Sequence, residues 1–227
     1  MKIVFGSHDV KLSDSTRHNQ VMATYAETGN NCPLSCKFHP DNNSPYRCYS
    51  MKGNMRFHSQ NNAGIDAQYL RARVSSFLTD RANGKKYATR ITVCRMHVSG
   101  DVINADTKLP DVDYIEALLW ACDELTQNGI EVLGYTHAWM YDEVTPLQKY
   151  FMASCDDYDT IPDAQSRGWM CTTTKPKEET QVPDGVKLAS CPNQITDGRI
   201  KCIDCMLCSP SKLNNKTTKR VMEFKLT

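Results

Sequence analysis

Asp111-Val112-Asp113-Tyr114-Ile115-Glu116-Ala117-Leu118-Leu119-Trp120-Ala121-Cys122-Asp123-Glu124-Leu125-Thr126-Gln127-Asn128-Gly129-Ile130-Glu131-Val132-Leu133-Gly134-Tyr135-Thr136-His137 is the stretch whose reading decides the fold. Its first part sets Ile115, Leu118, Leu119, Cys122 and Leu125 at helical spacing, giving one apolar face. Asp111 is a capping residue at the start, and Asn128-Gly129 is a stop. Ile130 to Tyr135 then reads as an apolar strand ending at Thr136-His137. Upstream, Thr89 to Val98 is rich in β-branched residues and reads as a strand ending at Ser99-Gly100-Asp101. Strand, helix and strand in that order make a parallel pair joined by a crossover.

The same rhythm extends outward. Val21 to Ala26 reads as a short strand, and Asp66 to Asp80 as a helix whose Ile65, Tyr69, Leu70, Val74, Phe77 and Leu78 lie near helical spacing. Beyond the deciding stretch, Lys149 to Ser154, Trp169 to Thr173 and Val186 to Ser190 read as strands. Pro162 to Arg167 reads as a short helix and Lys219 to Lys225 as a closing strand. The expected fold class is α/β, a partial (β/α) barrel in a single domain. It has a βα core over 20–190 and a cysteine-rich C-terminal extension over 191–227. Such barrels carry their sites beyond the carboxyl ends of the strands, where polar and reactive residues recur in this chain.

At 227 residues the chain can bury a substantial core. Lys+Arg number 27 and Asp+Glu 26, a balance that argues against a surface gripping nucleic acid throughout. Nucleic acid as a partner is therefore not indicated, and Lys212, Lys216, Lys219 and Arg220 read as a solvated basic tail in preference to a phosphate grip. No run approaches the roughly 18 apolar residues of a membrane span, and the apolar run after Met1 is too short for a signal peptide. Eleven cysteines cannot all pair within one chain. The expectation is a soluble protein of a reducing compartment, the cytoplasm, that uses thiols to bind metal.

Those thiols fall into two groups. Cys202, Cys205 and Cys208 form Cys-x2-Cys-x2-Cys, with Cys191-Pro192 just upstream. Bacterial-type ferredoxins hold iron–sulfur clusters with this spacing and an added Cys-Pro, although there the Cys-Pro follows the run. A [4Fe-4S] cluster is the expected occupant, and a structural zinc the alternative. The second group, Cys32, Cys36 and Cys48, is spaced x3 then x11. Three thiolates make a poor closed zinc site but suit a cubane with one open iron. Two separate sites, one shared site, or thiols without metal all remain open at this point. Ser99, Gly100 and Asp101 form either an ordinary strand-end turn or a place where a ligand meets the backbone, with Asp101 accepting from an ammonium or a hydroxyl. His97 and His137 read as structural histidines before ligands or proton carriers, and Asp156-Asp157 as a cap for the next helix. Cys94 and Cys122 read as core thiols, whereas Cys155 and Cys171 stay ambiguous.

The ordered set Cys32-Pro33-Leu34-Ser35-Cys36, Cys48-Tyr49, His97-Val98-Ser99-Gly100-Asp101, Tyr135-Thr136-His137, Cys191-Pro192-Asn193-Gln194 and Cys202 to Cys208 resembles a family of uncharacterised bacteriophage proteins. That family is named after mycobacteriophage gene product eighty-eight, and the resemblance implies a phage protein working in the host cytoplasm but no transferable activity. The layout is also distantly similar to radical S-adenosylmethionine enzymes. That likeness implies a [4Fe-4S] cluster on Cys32, Cys36 and Cys48, with Ser99, Gly100 and Asp101 meeting the amino group of S-adenosylmethionine. Thr136 would stand at the third strand, and the C-terminal cysteines would resemble an auxiliary cluster. The usual Cys-x3-Cys-x2-Cys is stretched here, and Asp101 stands where a glutamate is common. Three functions follow as expectations: a radical enzyme with an unknown substrate and reductant, a non-catalytic or electron-transfer [4Fe-4S] protein, or a zinc-stapled interaction module.

Overall fold

The computed structural model describes residues 1–6, 11–42, 48–51, 64–175, 181–213 and 220–225. Part of the loop after Asp41, part of the charged loop before Asp184, and Lys216 and Lys219 of the basic tail lie outside them. The chain opens with β1 (Lys2–Phe5), β2 (Val21–Tyr25), α1 (Ala67–Ala82), α2 (Lys86–Thr89) and β3 (Val93–Arg95). The middle holds α3 (Val112–Gln127), β4 (Glu131–Thr136), β5 (Phe151–Cys155), α4 (Ile161–Ser166) and β6 (Cys171–Thr174). Then come β7 (Lys187–Ser190), the single turns α5 (Pro192–Ile195), α6 (Cys202–Cys205) and α7 (Pro210–Leu213), and β8 (Arg220–Phe224).

Two aspartates start the two long helices. Asp66 accepts the Tyr69 N–H at 2.8 Å and Asp111 the Tyr114 N–H at 3.0 Å, each satisfying a first-turn donor that has no partner inside its helix. Gly84 and Gly129, both at positive φ, follow the last turns, where a left-handed residue ends a helix at least cost. The strand expected over Thr89 to Val98 shrinks to three residues, because Lys86–Thr89 closes a helical turn and His97 takes φ 50. Sequence also passed over β1, whose four residues are too few to show an alternation.

The eight strands form one sheet in the order β1-β2-β3-β4-β5-β6-β8-β7. Among the described residues only β1–β2 is antiparallel; every other strand pair is parallel, an arrangement consistent with a partial barrel. Neighbouring residues along the strands go to opposite faces. Met22, Cys94, Val132, Phe151, Ala153, Cys171 and Val221 pack into the main core on the helix side. Val93 and Leu133, and separately Met152 and Met222, face the other side, which carries the cysteine-rich extension. That extension also returns β8 into the sheet between β6 and β7. Gly134 sits on the helix side because its register partner Phe151 fills the space; a Cβ there would lie 2.5 Å from the ring. Cys94 and Cys122 are fully buried core thiols, as expected. Among the described residues no helix is long and apolar enough to cross a membrane.

Candidate metal centres

The first thiol group sits beyond the carboxyl end of β2. The loop from Gly29 to Asn42 is a chain of tight turns, including Cys32 N–H to the Gly29 carbonyl at 3.0 Å and Cys36 N–H to the Pro33 carbonyl at 3.0 Å. Buried His39 locks it: Nε2 donates to the Gly29 carbonyl at 2.9 Å while Nδ1 accepts the Asp41 N–H at 3.2 Å. Asn42 holds the Cys36 carbonyl through Nδ2 at 2.8 Å. Cys48 approaches from the next segment, its sulfur 3.0 Å from the Ser50 hydroxyl, which in turn meets Thr28 at 2.8 Å. The Cys32 thiol is pushed up to about 12, first by burial and then by Asp101, with Cys36 and Cys48 adding to it.

Three other strand ends meet this loop. After β3, the Ser99 hydroxyl donates to the Ala26 carbonyl at 2.8 Å. Gly100, at φ +74, lies so close to the β2 exit that a Cβ would sit 2.6 Å from the Ala26 side chain. Glycine is needed here for backbone against backbone. Asp101 is 3 % exposed and accepts from Thr136 Oγ1 at 2.7 Å, from the His137 N–H at 2.7 Å and from the Val102 N–H at 2.9 Å. Burial pushes its carboxyl up, against the pull of His137 and Thr136. Ser99, Gly100, Asp101 and Thr136 therefore form a joint tying the ends of β2, β3 and β4 beside Cys32.

The ends of β4 and β5 supply His137 and Asp156. His137 Nε2 lies 3.1 Å from Asp156 Oδ1, and Asp156 Oδ2 accepts the Lys37 N–H at 2.7 Å. Asp156 therefore does not cap the following turn, as sequence suggested; it grips the residue next to Cys36. Among the described residues, Cys36, His137 and Asp156 are the only three metal-capable side chains whose ligand atoms all lie within 4.8 Å of one another. Burial lowers the His137 pKa, but Cys36 and Asp156 outweigh it and hold it well above the ordinary value. Burial likewise opposes Asp156, yet His137 and Lys37 keep its carboxyl below 3.8. Sequence ranked a structural role for His137 ahead of a ligand or proton carrier, although both residues carry the same signal as Asp101, a polar group just past a parallel strand. His97 is the structural one, buried with Nε2 2.9 Å from the Tyr114 hydroxyl, and burial lowers its pKa to about 4. Behind Asp156, Cys171 on the neighbouring strand β6 draws the Cys155 thiol down.

The second group lies on the sheet face away from the long helices. Cys202 and Cys205, three apart in one helical turn, share a side of α6. Met206 then takes the left-handed conformation at φ 51, and the chain reverses toward Cys208. A non-glycine residue there costs on the order of 1–3 kcal/mol; burial of Met206 against Val93 and Leu133 offsets it. Backbone bonds seat α6, with the Cys202 N–H on the Lys11 carbonyl and the Ile203 N–H on that of Leu12, both at 3.0 Å. Arg17 clasps Asp204 at 2.6 and 2.9 Å. Cys191, at the end of β7, donates its N–H to the Glu223 carbonyl at 3.0 Å.

Cys191, Cys202, Cys205 and Cys208 line one apolar cavity of about 30 Å³ together with Leu133, Tyr135, Met222 and Phe224. The Cys208 thiol is pushed up to about 12, chiefly by burial and further by Cys202, Cys191 and Cys205, against the Tyr135 hydroxyl. Four adjoining thiols cannot all ionise in an apolar wall unless a cation or cationic cluster is among them. None of the eleven cysteines is in a disulfide. The donor set fits a thiolate-ligated metal group. Tetrahedral zinc, with bonds of about 2.3 Å, needs sulfurs roughly 3.8 Å apart. Among the described residues no three sulfurs of this group lie within 4.8 Å of one another.

No family model, curated protein or solved structure matches this chain.

Proposed function

We propose that this chain is an iron–sulfur protein of phage type. One [4Fe-4S] cluster would be held by Cys191, Cys202, Cys205 and Cys208, and a second by Cys32, Cys36 and Cys48. The observation that supports the reading best is the lining of one apolar cavity by Cys191, Cys202, Cys205 and Cys208, all four free of disulfides. The four-cysteine group offers a complete ligand set, suited to a structural or electron-transferring cluster whose potential follows from burial and hydrogen bonds. The three-cysteine group leaves one ligand position open, as a radical S-adenosylmethionine enzyme requires. A cluster bound there supplies one-electron chemistry. The chain's own part is to position: Asp101 and Thr136 brace the strand ends, and Asn42 holds the Cys36 carbonyl.

A zinc-held interaction module is the second reading. It draws on the close spacing of Cys36, His137 and Asp156, which suits a single ion. Purification without oxygen, metal analysis, and electron paramagnetic resonance of the reduced protein with and without S-adenosylmethionine separate these. A cluster signal that shifts on adding the cofactor supports the radical enzyme. An unmoved signal supports electron transfer, and zinc in place of iron removes the cluster reading.

A further inference from the structure

Neither His137 nor Asp156 belongs to the cysteine groups, yet both are built into the site at Cys36. Asp156 is held at both carboxylate oxygens, Oδ1 facing His137 Nε2 at 3.1 Å and Oδ2 taking the Lys37 N–H at 2.7 Å. The main-chain N–H of His137 is fixed on Asp101 at 2.7 Å. The imidazole is thus anchored at its ring and at its backbone, with a ring nitrogen within 4.8 Å of the Cys36 sulfur. Its side chain is 29 % exposed, so the contact stands at the edge of solvent, with Cys36 behind it only 7 % exposed.

A ligand to one corner of a cubane would stand well away from a thiolate on another corner. The Cys36 sulfur and a His137 ring nitrogen lie within 4.8 Å of each other, too close for ligands on two separate corners. A carboxylate behind a histidine fixes how the ring points, as in the outer shells of metal sites. Hydrogen bonds to ligating sulfurs stabilise the reduced, more negative form of a cluster and so raise its potential.

We infer that His137, positioned by Asp156, donates a hydrogen bond to the Cys36 sulfur and sets the reduction potential of the group bound by Cys32, Cys36 and Cys48. The inference rests on the cluster reading above. Its test is a dithionite titration followed by electron paramagnetic resonance on anaerobically reconstituted full chain, with iron counted in every sample. The variants are His137→Leu, His137→Gln and Asp156→Asn, and the signal lost in Cys48→Ser marks the first group.

His137→Leu should lower the equilibrium constant for reduction of that signal roughly tenfold, about 59 mV for one electron. His137→Gln, which keeps an N–H, should recover part of it, and Asp156→Asn should fall between. Iron content and the second group's potential should stay as in the wild type. Equal potentials in wild type and His137→Leu at full iron overturn this inference alone. Loss of the first group's iron in His137→Leu also overturns it, by making His137 a ligand. A wild-type chain that takes up no iron overturns the cluster reading and this inference together.

Discussion

Cys32, Cys36 and Cys48 hang on a loop held by polar contacts, with His39 on Gly29, Asn42 on the Cys36 carbonyl and Asp156 on the Lys37 amide. Cys191, Cys202, Cys205 and Cys208 instead line an apolar wall of Leu133, Tyr135, Met222 and Phe224, with Met206 buried at its base. The first group can be perturbed while the sheet stays intact; the second is part of how one sheet face is covered. Metal at the first should be separable from folding, whereas metal at the second should be folding energy.

The largest expected contrast comes from serine at one cysteine of each group. Cys205→Ser should empty the second group and lower unfolding stability by more than about 4 kcal/mol, in the range reached when a structural metal is lost. Cys48→Ser should remove only the first group's iron and cost about 1 kcal/mol. Iron counts paired with urea melts measure both, and equal stability losses would erase the distinction.

Gly100→Ala should come next. It forces a Cβ to 2.6 Å from the Ala26 side chain at a positive φ, costing about 2–4 kcal/mol. Spectra of the iron-loaded variant should show the first group disturbed and the second unchanged.

Acid should loosen the first group before the second. The Asp156 carboxyl titrates below its ordinary 3.8, so its contribution is complete above that value and is lost as pH falls through the folded pKa. Asp156→Asn should be less stable than wild type by about 1 kcal/mol near neutrality. That gap should narrow below pH about 4, a trend that urea melts across pH can confirm or refute. Arg17→Ala, which breaks the half-exposed clasp on Asp204, should cost under about 1 kcal/mol and less in high salt.

Much of the scaffold could be read from the chain because its signals are local. Asp66 and Asp111 cap the helices the periodicity announced, and β4, β5, β6 and β7 fall within one or two residues of the apolar runs. The placement of β8 was not local: the run at Arg220–Phe224 looks alike whether it closes an edge or enters between β6 and β7. The cysteines announced themselves by spacing. The partnership of Asp156 with His137 and Lys37 did not, since it joins three segments that only the folded sheet brings together. Met206 shows the same limit, because its left-handed turn is held by tertiary burial and no turn residue marks it.

The position of β8 also bears on the order of events during synthesis. Among the described strands β7 pairs only with β8, and Met222 and Phe224 supply part of the wall around the second thiol group. Both lie downstream of Cys208 in the chain. A growing polypeptide therefore exposes all eleven cysteines before the wall that shelters four of them exists. Until β8 inserts, those four thiols stand open to oxidants and competing metals, and a cluster of the kind proposed would have to await the closing strand or be escorted to it.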